Sequence, residues 1–140
     1  MILTDAGPLI ALIDKDEQYH DACVDCLAEL AGPMLTTWPA FAESMYLLGE
    51  GRGGWRAQDT LWQLVENGDL EVADQSEDDR ARMRVLMDKY QDLPMDLADA
   101  SLVALAEKKG LRDIFTLDHT DFQVYRLNRR QTFRLWPKDL

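Results

Sequence analysis

Ile2-Leu3-Thr4-Asp5-Ala6-Gly7-Pro8-Leu9-Ile10-Ala11-Leu12-Ile13, near the start of the 140-residue chain, decides the fold class. Ile2 to Thr4 form a short apolar strand that stops at Asp5. Gly7-Pro8 then opens a helix, and Pro8 suits its first position, where a missing N–H leaves no bond unmade. Leu9, Ile10 and Ile13 give that helix one buried face. A strand that runs directly into a helix is the repeating unit of an α/β chain.

The same alternation continues outward from this segment. The spacing predicts a helix over residues 18–31, ended by Gly32-Pro33. A strand is expected at Met34-Leu35-Thr36, then a helix from Pro39 through Glu43 to about Leu48. Gly49 to Gly54 read as a loop. Trp55 to Glu66 return to helical spacing through Trp55, Trp62 and Val65. Asn67-Gly68 make a turn before a strand at Leu70 to Ala73. A helix begins near Ser76 and buries Met83, Leu86, Met87 and Tyr90. Leu93-Pro94 interrupts it, and a further helix runs from Asp96 to Lys109, closed by Gly110. Strands are expected at Asp113–Leu117 and Thr132–Leu135. The pattern is one α/β domain over residues 1–140, with a mostly parallel central sheet of four to five short strands. Such sheets bind ligands beyond the carboxyl ends of their strands.

The charge balance limits the function classes. The chain carries 26 Asp and Glu against 15 Lys and Arg, a net charge of −11. Bulk electrostatics would therefore not hold it on nucleic acid; an acidic pocket that gathers cations, or a basic partner, fits better. The cations are unevenly placed. Arg126, Arg129, Arg130, Arg134 and Lys138 form a stretch without an acid, and Arg52 and Arg56 flank Trp55 beside the glycine-rich loop. These can contact phosphates while Trp55 stacks on a base, or they can pair with the acidic body. No apolar run approaches the ~18–20 residues that span a bilayer, and the first residues do not resemble a leader. A soluble, cytoplasmic protein is expected. Cys23 and Cys26 fall on a helical stripe with Tyr19, Ala22, Leu27 and Leu30, which makes them small core hydrophobes rather than a redox pair.

Four acids stand where chemistry is expected. Asp5 ends the first strand, Asp118 lies just past Ile114-Phe115-Thr116-Leu117, and Glu43 sits in the first turns of the helix after the second strand. Asp99 lies three residues after Asp96 on a helix whose next residues are small and apolar. Each has a bland use, as a helix cap, a turn residue or a solvated helix residue. Asp96 is the expected cap, with Asp99 aimed at the site, and Asp121 suits the turn role better than Asp118. Brought to one edge of a parallel sheet, the four carboxylates would repel each other and raise one another's pKa values. Hard divalent cations relieve that repulsion, and they activate water at phosphodiesters.

Three segments together resemble the PIN-domain family. Thr4-Asp5-Ala6-Gly7-Pro8-Leu9-Ile10-Ala11-Leu12 is similar to its opening strand and helix. Met95-Asp96-Leu97-Ala98-Asp99-Ala100-Ser101-Leu102-Val103-Ala104-Leu105-Ala106 resembles its third acidic motif, and Phe115-Thr116-Leu117-Asp118-His119-Thr120-Asp121-Phe122 its fourth. Glu43 occupies the place of the second acid. The resemblance implies a three-layer α/β/α domain with an acidic pocket at one edge. It implies an endoribonuclease dependent on Mg2+ or Mn2+, the toxin half of a type II toxin–antitoxin pair of the VapC kind. It further implies a homodimer, an RNA substrate and an antitoxin that inserts a segment near the active site. By carry-over, Asp5 and Asp99 are the principal metal ligands, while Glu43 and Asp118 complete the site and orient water. Where many relatives have a hydroxyl or amide two residues after the first Asp, this chain has Gly7, so a supporting hydrogen bond is absent or comes from backbone. Asp96 and Asp121 are extra acids able to replace a neighbour. A non-catalytic protein-binding or scaffold domain on the same fold is the competing class. An aspartate-nucleophile phosphatase is disfavoured, because its second Asp would stand where Gly7 does.

Overall fold

The computed structural model describes residues 1–140. Seven strands and seven helices follow in the order β1 (Ile2–Thr4), α1 (Ala6–Ile13), α2 (His20–Glu29), β2 (Met34–Thr37), α3 (Trp38–Glu50), α4 (Trp55–Glu66), β3 (Leu70–Ala73), α5 (Glu77–Lys89), α6 (Leu97–Lys109), β4 (Asp113–Phe115), α7 (His119–Phe122), β5 (Arg126–Leu127), β6 (Gln131–Thr132) and β7 (Arg134–Trp136). The main sheet has five strands in the order β3-β2-β1-β4-β7, and every pairing in it is parallel. From β1 the chain builds outward through β2 and β3, then crosses to the other side with β4. The reversal opens a crevice between the carboxyl ends of β1 and β4, the place where open parallel sheets bind ligands.

Two apolar layers sandwich the sheet, and the two-residue period of the strands assigns each side chain to one of them. Leu3, Leu35 and Ile114 face α5 and α6. Their neighbours Ile2, Met34 and Phe115 face the other way, toward Leu9 of α1, Phe41 of α3 and Leu61 of α4. Helix α6 is buried from Ala98 to Ala106 without interruption. Its alanines let it lie close against β2, α3 and α5, and a helix enclosed on all sides needs no polar face. Gly110 ends it at φ 66°, a left-handed turn that favours glycine.

Several boundaries differ from the sequence expectation. The Thr132–Leu135 segment is two strands in two sheets. Gln131–Thr132 pairs antiparallel with Arg126–Leu127, whereas Arg134–Trp136 joins the main sheet beside β4. Phe133 lies between them and is buried, so one anchored aromatic divides a run that reads as continuous. Helix α3 extends through Gly49, where the side chain of Gln58 from α4 takes the space a Cβ would need and donates to the Met45 carbonyl at 2.9 Å. In α2 the buried stripe is Cys23 and Cys26, with Tyr19, Leu27 and Leu30 packed beside them; Ala22 faces outward. Burial pushes the Cys23 thiol up to about 12, which keeps it unreactive.

Candidate active site

The crevice is a cleft of about 380 Å3 lined by Asp5, Glu43, Asp96, Asp99 and Asp118, with Ala6, Gly7, Ile10, Leu47 and Leu117. All four sequence-predicted acids therefore share one space, together with Asp96. A second grouping lies alongside: carboxylate oxygens of Asp99, Asp118 and Asp121 fall within 4.8 Å of one another.

Local structure explains each position. Asp5 follows β1 and caps α1, its Oδ1 accepting from the Ala6 N–H at 2.8 Å. Its Oδ2 accepts from the Thr116 hydroxyl at 2.9 Å. Capping and a place in the cleft are thus compatible uses of one carboxylate. Thr116 is fully buried, and the same hydroxyl oxygen accepts from the Asp118 N–H at 3.0 Å. One side chain thereby ties the exit of β1 to the exit of β4. Gly7 offers no side chain to Asp5, and the hydroxyl that does reach it is that of Thr116, just past β4. Gly7 has a different use: a Cβ there would stand 3.2 Å from the Leu117 Cβ, so its bareness lets the β4 exit approach α1.

Asp96 is the cap of α6, accepting from the Asp99 N–H at 2.8 Å. Asp99 is buried in the first turn, and its Oδ2 accepts from the Tyr125 hydroxyl at 2.7 Å. Asp118 caps the short α7, with Oδ1 accepting from the Asp121 N–H at 3.2 Å. Glu43 reaches the rim from α3. That helix starts where the Thr37 side chain accepts from Ala40 N–H and where Thr37 and Ser101 hydroxyls meet at 2.6 Å, which joins α3 to α6.

Burial first, and the neighbouring acids after it, raise the pKa values of these groups. Burial raises Asp99 to about 8; Asp5, Asp96 and Asp118 push the same way, against the Tyr125 hydrogen bond. Burial also raises Asp5 to about 6, despite hydrogen bonds from Ala6 and Thr116. Glu43 is raised by lost hydration, then by Asp5 and Asp96. Asp121 is raised by burial, then by its contact with Asp118. No Lys or Arg lines the cleft. The donors are carboxylate oxygens, without sulfur or imidazole, and that set fits Mg2+ or Mn2+ better than zinc or copper. His119, close in sequence, has its Nε2 toward the Trp136 carbonyl at 3.4 Å.

Thr116 and Tyr125 escaped the sequence reading, since neither is acidic and each meets its partner only through the fold. The cations of the last segment are largely engaged with the protein itself. Arg134 pairs with Asp113 at 2.7 Å, Arg126 donates to the carbonyls of Gln123, Val124 and Tyr125, and Lys138 lies 4.5 Å from the Trp136 ring centre. Arg52 is placed differently. It lines a groove of about 290 Å3 that shares Ile10 and Leu47 with the acidic cleft. Exposed Trp55 begins the helix that follows.

Comparison with known proteins agrees with this fold. A family model described as PIN domain matches residues 2–127. Ribonuclease VapC26 of Mycobacterium tuberculosis is 29% identical over 125 residues, spanning 89% of this chain and 92% of that protein. Among solved structures, VapC20 of Mycobacterium tuberculosis, a toxin that cleaves the sarcin–ricin loop, superposes with a TM-score of 0.75 at 18% identity, covering 81% of this chain and 87% of that one. A toxin–antitoxin complex from Klebsiella pneumoniae gives 0.68 at 18% identity, covering 89% and 92%. VapBC2 from Rickettsia felis, bound to a DNA fragment from its promoter, gives 0.70 at 16% identity, covering 97% and 99%. At these identities the solved structures speak for the fold.

Proposed function

Because the chain belongs to the PIN-domain family of nucleases and is homologous to a VapC-type ribonuclease, we propose that its acidic cleft hydrolyses RNA phosphodiesters with a divalent cation, Mg2+ or Mn2+. The observation that carries this reading is the convergence of Asp5, Glu43, Asp99 and Asp118 on one cleft without a protein cation. We read residues 1–140 as one PIN domain, the toxin of a type II toxin–antitoxin pair acting in the cytoplasm. No helix is long and apolar enough to cross a membrane.

Asp5 and Asp99 are the principal ligands in this account. Hydrogen bonds from Ala6 and Thr116 orient Asp5, and Tyr125 holds one oxygen of Asp99. A bound divalent cation would neutralise the carboxylates, acidify water and stabilise charge on the phosphorus centre. Glu43 and Asp118 orient the attacking water and accept its proton. The water oxygen bonds to phosphorus, the bond to one ribose oxygen breaks, and that oxygen takes up a proton. Arg52 and Trp55, along the adjoining groove, are placed to hold a phosphate and a base of a single strand.

The same groove supports an antitoxin partner. Its floor of Ile10, Ile13, Leu47 and Leu48 is apolar, suited to a segment that inserts beside the acids. A homodimer completes the reading. Incubating the purified protein with cellular RNA and Mg2+ or Mn2+, then sequencing the new ends, tests the function. Discrete cuts that vanish in Asp99→Asn, with an unchanged circular dichroism spectrum, are expected. Intact RNA with either cation, or equal cutting by the variant, contradicts the proposal.

A further inference from the structure

Tyr125 lies beyond the last acidic motif, at the edge of the hairpin formed by β5 and β6. It is fully buried, and a buried tyrosine needs a partner for its hydroxyl. That partner is Asp99 Oδ2 at 2.7 Å, a carboxylate on a different element and 26 residues away in sequence.

The surroundings hold the tyrosine ring firmly. Tyr90 meets it edge-on with centroids 5.0 Å apart, and Phe122 does so at 5.1 Å. The following residue is fastened as well: the Arg126 N–H donates to the Tyr90 hydroxyl at 3.0 Å. Farther along the hairpin, the Asn128 N–H donates to Glu107 Oε2 at 2.7 Å, and Glu107 is itself gripped by Arg82 at 2.8 Å. The hairpin is thus fixed to α6 near one end, and Tyr125 reaches Asp99 near the other.

We propose that Tyr125 is a positioning residue for the cation site, fixing Asp99 so that Oδ2 is occupied and the other oxygen is presented to the cleft. A short carboxylate in the first turn of a helix can otherwise rotate and turn either oxygen toward Asp118 and Asp121, whose oxygens lie within 4.8 Å of its own. The hydroxyl removes that freedom before the cation arrives. Partners behind a metal ligand commonly hold about 10–100-fold in metal affinity. The inference rests on the cleft being a divalent-cation site, as proposed above.

The test is Mn2+ affinity, read from the free-ion paramagnetic resonance signal, with melting curves in EDTA as a check on folding. Tyr125→Phe keeps the ring and its packing. It is expected to bind Mn2+ about 10–100-fold more weakly than wild type. Tyr90→Phe removes a neighbouring buried hydroxyl that does not touch Asp99, and it is expected to keep wild-type affinity. Adding Tyr125→Phe to Asp99→Asn is expected to lose nothing further. Wild-type affinity in Tyr125→Phe, or an equal loss in Tyr90→Phe, overturns the inference while leaving the function intact. A wild type without Mn2+ affinity overturns the function and this inference together. In the wild type alone, one of the four tyrosine Cζ carbon resonances should move when Mg2+ is added; four stationary resonances would count against the coupling.

Discussion

Two sets of carboxylates in this protein behave in opposite ways. In the cleft, Asp5 and Asp99 are buried beside other acids, and burial holds them up at about 6 and about 8. Away from the cleft, Asp79, Glu107 and Asp113 are held below the ordinary carboxyl range: the Ser76 N–H does so for Asp79, with Lys108 adding to it, and Arg82 and Arg134 do so for Glu107 and Asp113. The paired acids serve the fold and the unpaired ones work against it. Acids kept together at a sheet edge without a paired cation are what the proposed divalent-cation site calls for.

The largest effect that can break this comparison is catalytic. Asp99→Asn removes one carboxylate at almost no change in shape, and RNA cleavage is expected to fall at least about 100-fold, measured as initial rate with saturating cation. The same amide substitution at the other end of α6 should act on stability instead. Glu107→Gln leaves Arg82 and the Asn128 N–H with a weaker acceptor, and about 1–2 kcal/mol of unfolding free energy is expected to be lost in urea titration. Cleavage should survive it. If both substitutions destabilise alike, the division between the two sets is wrong.

Acidity sharpens the contrast. Unfolded Asp carboxyls titrate near 4, so between that pH and about 8 the folded cleft binds more protons than the unfolded chain. Stability in EDTA should therefore fall as pH rises from 5 to 8, visible as a declining melting temperature. The stability from the paired acids is lost only as pH drops below their ordinary range, outside this window. Asp99→Asn should flatten the upper part of the decline. A flat wild-type profile would mean that the cleft acids are not strained.

The smallest effect concerns an alcohol without a partner. Thr36 Oγ1 is buried and makes no hydrogen bond, whereas the Thr116 hydroxyl has two. Thr36→Val should be neutral or add up to about 1 kcal/mol. Thr116→Val, with nearly the same shape, should weaken cation binding by releasing Asp5 and the Asp118 loop.

Much of this was legible in the sequence for a physical reason. Short apolar runs alternating with helical stripes can hardly pack except as a parallel sheet between helices. Asp5, Asp99 and Asp118 stand out because each breaks an apolar context at an element boundary, and Asp96 could be read as a cap from its spacing. What stayed hidden depends on distance through space. Phe133 looks like any strand residue until its burial divides β6 from β7. Thr116 and Tyr125 reach Asp5 and Asp99 across 111 and 26 residues of chain, a separation that no local pattern encodes. The cationic stretch near the end left phosphate contact and pairing with the acidic body both open, and local pattern could not choose between them; Arg126 and Arg134 are turned to the protein's own carbonyls and to Asp113.

The central claim is that the cleft acids wait for a divalent cation. Melting at pH 7.5, in EDTA and then with Mn2+ at about 100 times its dissociation constant, tests it directly. Wild type should gain about 2.7 kcal/mol. Asp99→Asn should start from a higher melting temperature in EDTA and gain far less. Equal gains in both proteins, or no gain in wild type, would contradict the account.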